Sequence, residues 1–151
     1  MTRSNARELA AHLIYELDYT GQAPADAIKA RLEQPYYNEL ADENEVYTER
    51  PNKKQLTYIT ACVEGVIARA DELDAYIRQY SIGWDVHRIS RFTKAALRLA
   101  LYEILYVEDV PTGVAINECV ELTRKYEEAE IVSFVNGLLG SFARAQKEHQ
   151  E

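Results

Sequence analysis

Residues 89–106 read ISRFTKAALRLALYEILY. Beyond Thr93 the apolar residues fall nearly all round a helical circuit, and no clean polar face remains. A helix of that kind belongs at the centre of a bundle. Downstream, Asp109-Val110-Pro111 stops this helix and starts another. Residues 111–126 carry Val114, Ala115, Cys119, Val120 and Leu122. Residues 130–147 carry Ile131, Phe134, Val135, Leu138, Leu139 and Phe142 at helical spacing. Upstream, residues 4–19 form an amphipathic helix that Ser4 or Asn5 can cap, and Gly21 and Pro24 break it. A short helix is predicted over 25–33, and a long one from Pro51 to about Tyr80. The expected fold is an all-α helical bundle of six helices, one domain over 1–151. Residues 34–50 are expected to be an acidic loop, a poorly ordered helix or an insert.

Length and composition bound the class of protein. At 151 residues, with 47% hydrophobic residues, the chain can bury a core without staples. No stretch approaches the roughly 20 apolar residues of a membrane helix. The N-terminal MTRSNARELAAHLIYELD lacks an uninterrupted signal-peptide core. A cytoplasmic protein without a membrane association is expected. The net charge of −8 argues against a generic nucleic-acid binder. Its distribution changes that reading. Residues 33–49 hold Glu33, Glu39, Asp42, Glu43, Glu45 and Glu49 and no Lys or Arg, and the remainder carries a net of −2. Residues 86–102 hold Arg88, Arg91, Lys94 and Arg98 and no acid.

Catalytic and metal motifs are absent from the sequence. The 6 glycines are scattered singly, with no phosphate-binding loop and no nucleophile elbow. His12, His87 and His149 lie far apart, and Cys62 and Cys119 fall on apolar helix faces. The expectation is no enzyme, no metal and no cofactor.

Three features ask for more than generic packing. Arg88, Arg91, Lys94 and Arg98 share about a 120° arc of one helix face. They are either a phosphate-contacting stripe or a solvated face with Arg98 paired to a carboxylate such as Glu103 or Glu118. Arg3 and Arg7, with Tyr15 two turns beyond, can hold phosphates and stack a base, or can simply begin an exposed helix. Phe134-Val135-Asn136-Gly137 places a glycine inside a helix, usually a sign of a close backbone approach.

These residues carry a resemblance. Leu97-Arg98, Ala100-Leu101-Tyr102-Glu103, Asp109-Val110-Pro111, Val114-Ala115-Ile116-Asn117-Glu118, Val120-Glu121-Leu122 and Phe134-Val135-Asn136-Gly137 stand in an order and spacing that resemble the C-terminal half of the bacterial transcription antitermination factor NusB family. Ala6-Arg7-Glu8 with Tyr15 is similar to the family's first helix, and Trp84 with Arg88 to the segment before its central helix. The resemblance implies an all-α fold of two packed three-helix sub-bundles. It implies a non-enzymatic protein that binds the single-stranded boxA element of ribosomal RNA transcripts. The implied partners are small ribosomal-subunit protein ten and the RNA polymerase antitermination complex.

Carried over by position, RNA contacts fall on Arg3, Arg7 and Tyr15, with Phe134 near the RNA-facing region. Arg88 and Arg91 are further candidates. The ribosomal-protein contact falls on Glu130, and Arg98, Glu118, Asn136 and Gly137 take structural roles. The chain departs from the family in its thinned N-terminal arginines and in Ile131-Val132-Ser133, where a more polar stretch is usual. Both departures remove phosphate partners and imply weaker RNA binding. The alternatives are a protein–protein adaptor, or a homodimer that occludes the RNA face. A similar domain precedes some ribosomal RNA cytosine methyltransferases, but no cofactor-binding α/β sequence follows here.

Overall fold

The computed structural model describes residues 1–150; Glu151 and the side chains of Val86, His149 and Gln150 lie outside the described residues. His149, weighed above with the other histidines, therefore has no side-chain description. The helices are α1 (Arg3–Thr20), α2 (Pro24–Leu32), α3 (Tyr36–Leu40), α4 (Lys53–Ala68), α5 (Ala70–Tyr80), α6 (Arg91–Tyr106), α7 (Thr112–Tyr126) and α8 (Ala129–Gln150). Short 3-10 turns occupy Glu45–Thr48 and Val86–Arg88. No strand occurs among the described residues, so the all-α expectation holds. The chain forms two compact units, Met1–Ala68 and the residues from Arg69 onward.

The predicted long helix over 51–80 is in fact two helices. Arg69 leaves the helical region at φ −116° and ψ 20° and separates α4 from α5. Both helices keep the apolar period, so periodicity alone runs across the break.

In the first unit α1 packs against α4 and α2. Its Ala6, Leu9, Ala10, Leu13, Ile14 and Leu17 are buried, as the spacing predicts. The cap is Thr2, two residues before Ser4, the nearer of the candidates named from sequence; its hydroxyl accepts from the Asn5 amide at 3.0 Å. Gly21 ends the helix at φ 63°, and its amide donates to the Leu17 carbonyl.

Residues 34–50 are not a loose insert. Tyr37, Val46 and Tyr47 are buried, and the two tyrosine rings meet edge to face at 5.2 Å. The Tyr37 hydroxyl donates to the Glu49 carbonyl at 2.7 Å. Burial pushes the Tyr37 phenol up to about 12. Tyr47 is the hub of a polar network. Arg31 Nη1 donates to its oxygen at 2.7 Å, and His12 Nδ1 lies at 2.7 Å. The phenol oxygen can accept from Arg31 and still donate its own proton to His12 Nδ1 when that nitrogen carries none. That leaves His12 Nε2–H facing Glu8, 3.5 Å away. Arg31 also pairs with Glu16. The six acids of residues 33–49 all remain exposed. Aromatic residues anchor the segment, and acidic residues solvate its outer side.

In the second unit α6 packs against α5, α7 and α8, the central place its apolar sequence demands. Thr93, Ala95 through Leu101 and Glu103 are buried along it. Ser90 caps its start, and Glu127, just past α7, accepts hydrogen bonds from Ser90 and from the Thr93 hydroxyl. Cys119 packs as a small hydrophobe whose thiol lies 3.4 Å from the Ala96 carbonyl; burial pushes it up to about 12.

Arg98 is buried on α6, and Asp74 of α5, a carboxylate not among the candidates named above, pairs with it. Nε and Nη2 donate to the two Asp74 oxygens, each at 2.7 Å. Lys94 adds a contact at 3.6 Å. Partial burial opposes the charge on Asp74, but the Arg98 hydrogen bonds and charge, with Lys94, hold the carboxyl below its ordinary value.

Two stability measurements check these contacts. Tyr47→Phe keeps the ring but strips Arg31 and His12 of the shared oxygen, and should cost about 1–3 kcal/mol in urea unfolding. Asp74→Asn removes the two-pronged carboxylate from buried Arg98 and should cost about 2–3 kcal/mol, somewhat under a fully buried pair. The folded Asp74 carboxyl titrates below the unfolded one. Its contribution is therefore complete at neutral pH and is lost as pH falls below about 4. The Asn variant should flatten that acid limb of the stability curve.

Candidate nucleic-acid interface

In the first unit the candidate residues lie along α1. Four-residue spacing places Arg3 and Arg7 one turn apart. Both guanidinium groups lie over the Tyr58 ring of α4, each at 5.9 Å from its centroid. Arg3 is exposed, whereas Arg7 is only 5% exposed. The two are not an equal pair of phosphate ligands: Arg3 presents its charge to solvent, and Arg7 is packed inside. Tyr58 was missed from the sequence, because nothing in the spacing of α1 announces a ring some 50 residues away.

Tyr15 is half-buried on α1. Its ring meets Tyr19 edge to face at 5.1 Å, and the two hydroxyls are 3.1 Å apart. Tyr19 is 55% exposed, which extends the aromatic surface outward.

In the second unit the basic stripe divides. Arg88 closes the 3-10 turn and Arg91 opens α6, and both are exposed. Lys94 and Arg98 turn instead onto Asp74. Phe134 is 6% exposed, and its ring packs 4.8 Å from Trp84. That contact makes Phe134 a support for the Trp84 loop rather than an open stacking face. Glu130 is exposed in the first turn of α8, and Glu118 is half-buried on α7.

Asn136 and Gly137 require a correction. Both are exposed. A Cβ built on Gly137 meets nothing within 4 Å among the described residues. The buried neighbours Phe134, Val135, Leu138 and Leu139 occupy the other side of α8. Among the described residues the glycine therefore serves no close approach, and the packing reason expected for Gly137 is not found there.

Exposed guanidinium groups beside tyrosine rings can contact phosphates and stack bases. Among the described residues no cluster of His, Cys, Asp and Glu could hold a metal, and no helix is long and apolar enough to cross a membrane.

The arrangement is that of an all-helical protein whose first helix carries an exposed arginine, Arg3, and a tyrosine pair. The NusB family model matches residues 4–144, and the chain belongs to the NusB family. The transcription antitermination protein NusB of Acetivibrio thermocellus is 38% identical over 97% of this chain and 91% of its own length. That of Rubrobacter xylanophilus is 40% identical over 92% of this chain and 88% of its own. Among solved structures, antitermination factors NusB and NusE in complex with dsRNA match with a TM-score of 0.71, covering 95% of this chain and 96% of that one. At 24% identity that likeness speaks for the fold.

Gly137 offers a direct check. With open space around it in mid-helix, Gly137→Ala should raise stability by about 1 kcal/mol in thermal unfolding. A loss of stability would instead reveal a neighbour pressed against that position.

Proposed function

We propose that this chain is a transcription antitermination factor that binds boxA-type single-stranded RNA of ribosomal RNA transcripts together with small ribosomal-subunit protein ten. In this reading it acts in the cytoplasm as one RNA-binding module and favours processive transcription by RNA polymerase. Its role is binding, with no catalytic step and no cofactor. Family membership and the names of its relatives support the reading. The observation that carries it is the α1 surface, where Arg3 and Arg7 gather over Tyr58 and the Tyr15–Tyr19 pair extends into solvent.

The roles follow from exposure. Arg3 contacts phosphate. Arg7 holds the Tyr58 ring, and so positions Arg3. Tyr15 stacks a base, with the ring face set by Tyr19. Arg88 and Arg91 contact phosphate from the second unit, Phe134 braces Trp84 on the RNA-facing side, and Glu130 meets the ribosomal protein.

One observation favours a second reading, a protein–protein adaptor or a homodimer with weakened RNA binding. A single α1 arginine is exposed, and the six exposed acids of residues 33–49 lie on the same unit. The adaptor would keep the Glu130 contact and lose RNA preference.

Fluorescence anisotropy with labelled boxA RNA and a scrambled control, with and without the ribosomal protein, separates these readings. Arg3→Ala should lower the slope of log affinity against log salt by about 0.7, one single-strand phosphate contact. Tyr15→Ala should weaken binding by about 1–3 kcal/mol with the slope unchanged. Equal affinity for boxA and scrambled RNA, with partner binding intact, would establish the adaptor instead.

A further inference from the structure

A cleft of about 550 Å³ opens in the second unit between the end of α6, the start of α7 and the latter half of α8. Its size lies within the range of about 300–1,000 Å³ typical of ligand clefts. Ile104, Leu105 and Ala143 give it an aliphatic side, and Arg144 and Lys147 stand on α8 beside them. None of the residues lining it is acidic. Arg144 donates to the Ser141 hydroxyl at 3.2 Å, and among the described residues neither Arg144 nor Lys147 makes an ion pair. Elsewhere in the chain Arg31, Arg69, Lys94, Arg98 and Arg124 each meet a carboxylate. In a chain of net charge −8, a cleft whose described lining combines two cations, no acid and an aliphatic recess presents a charge complementary to an acidic, apolar segment.

We propose that this cleft is a docking site for a partner-protein segment that presents an aliphatic side chain flanked by Asp or Glu. The aliphatic group fills the recess against Ile104 and Leu105, and the carboxylates meet Arg144 and Lys147. An RNA strand fits less well, because no aromatic ring lines the cleft to stack a base. The site shares no residue with the proposed RNA contacts and stands or falls separately from them.

The test uses the full chain, ¹⁵N-labelled, titrated with the capped tetrapeptide Glu-Leu-Leu-Glu and with Lys-Leu-Leu-Lys as the charge-inverted control. The acidic peptide should give saturable amide shifts at Ile104, Leu105 and Ala143, and the basic one should not. The exposed double variant Arg144→Glu with Lys147→Glu should weaken the acidic peptide by roughly tenfold, as two exposed ion pairs provide, and should gain the basic peptide. Absence of saturable shifts, an equal response to both peptides, or stronger shifts of the same amides with a short single-stranded RNA would overturn the proposal.

Discussion

Burying a guanidinium is costly unless its charge is met, and in the second unit Asp74 meets that of Arg98. The two-pronged contact crosses from α6 to α5, so it fixes both the separation and the rotation of those helices. Because α6 is apolar on nearly every side, hydrophobic burial alone would tolerate several rotations of it. The ion pair and the Glu127 clasp at the start of α6 favour one of them. Hydrophobic surface supplies the driving force for packing, and the few buried polar contacts select the register.

The first unit solves the same problem with a phenol. Tyr47 is reached by Arg31 on one side and His12 on the other, and each of those has a carboxylate neighbour. Such a network is stabilising when every member is satisfied. It draws together α1, α2 and the acidic segment, three stretches whose own hydrophobic signals are modest. The segment that composition marks as least structured thus contributes buried aromatics to the unit.

The central helix, the helix boundaries at Gly21 and Pro111 and the buried faces of α1 and α8 were legible because each follows from local spacing or from turn chemistry. Arg69 was not legible, since a one-residue break leaves the apolar period running on. Nor was the order in residues 34–50, where Tyr37 and Tyr47 act through contacts that no periodicity encodes. On the candidate interface, sequence located the cations but not their exposure. Arg7 and Arg3 look alike in a sequence, and Tyr58 makes them different. Asn136 and Gly137 show the reverse: a motif read as packing turns out to lie on open surface.

The placement of the six exposed acids has a kinetic meaning for a polyanionic ligand. At distances beyond the Debye length, roughly 10 Å at 0.1 M salt, an RNA strand is influenced by the net charge of the protein. In the proposed complex it would meet the local arginines, whose counterion release would weaken binding as salt rises. Raising the salt therefore screens the repulsion that slows encounter and also shortens the life of the bound state. In the proposed complex the association and dissociation rates would both increase, and the acidic segment would set how far the first offsets the second.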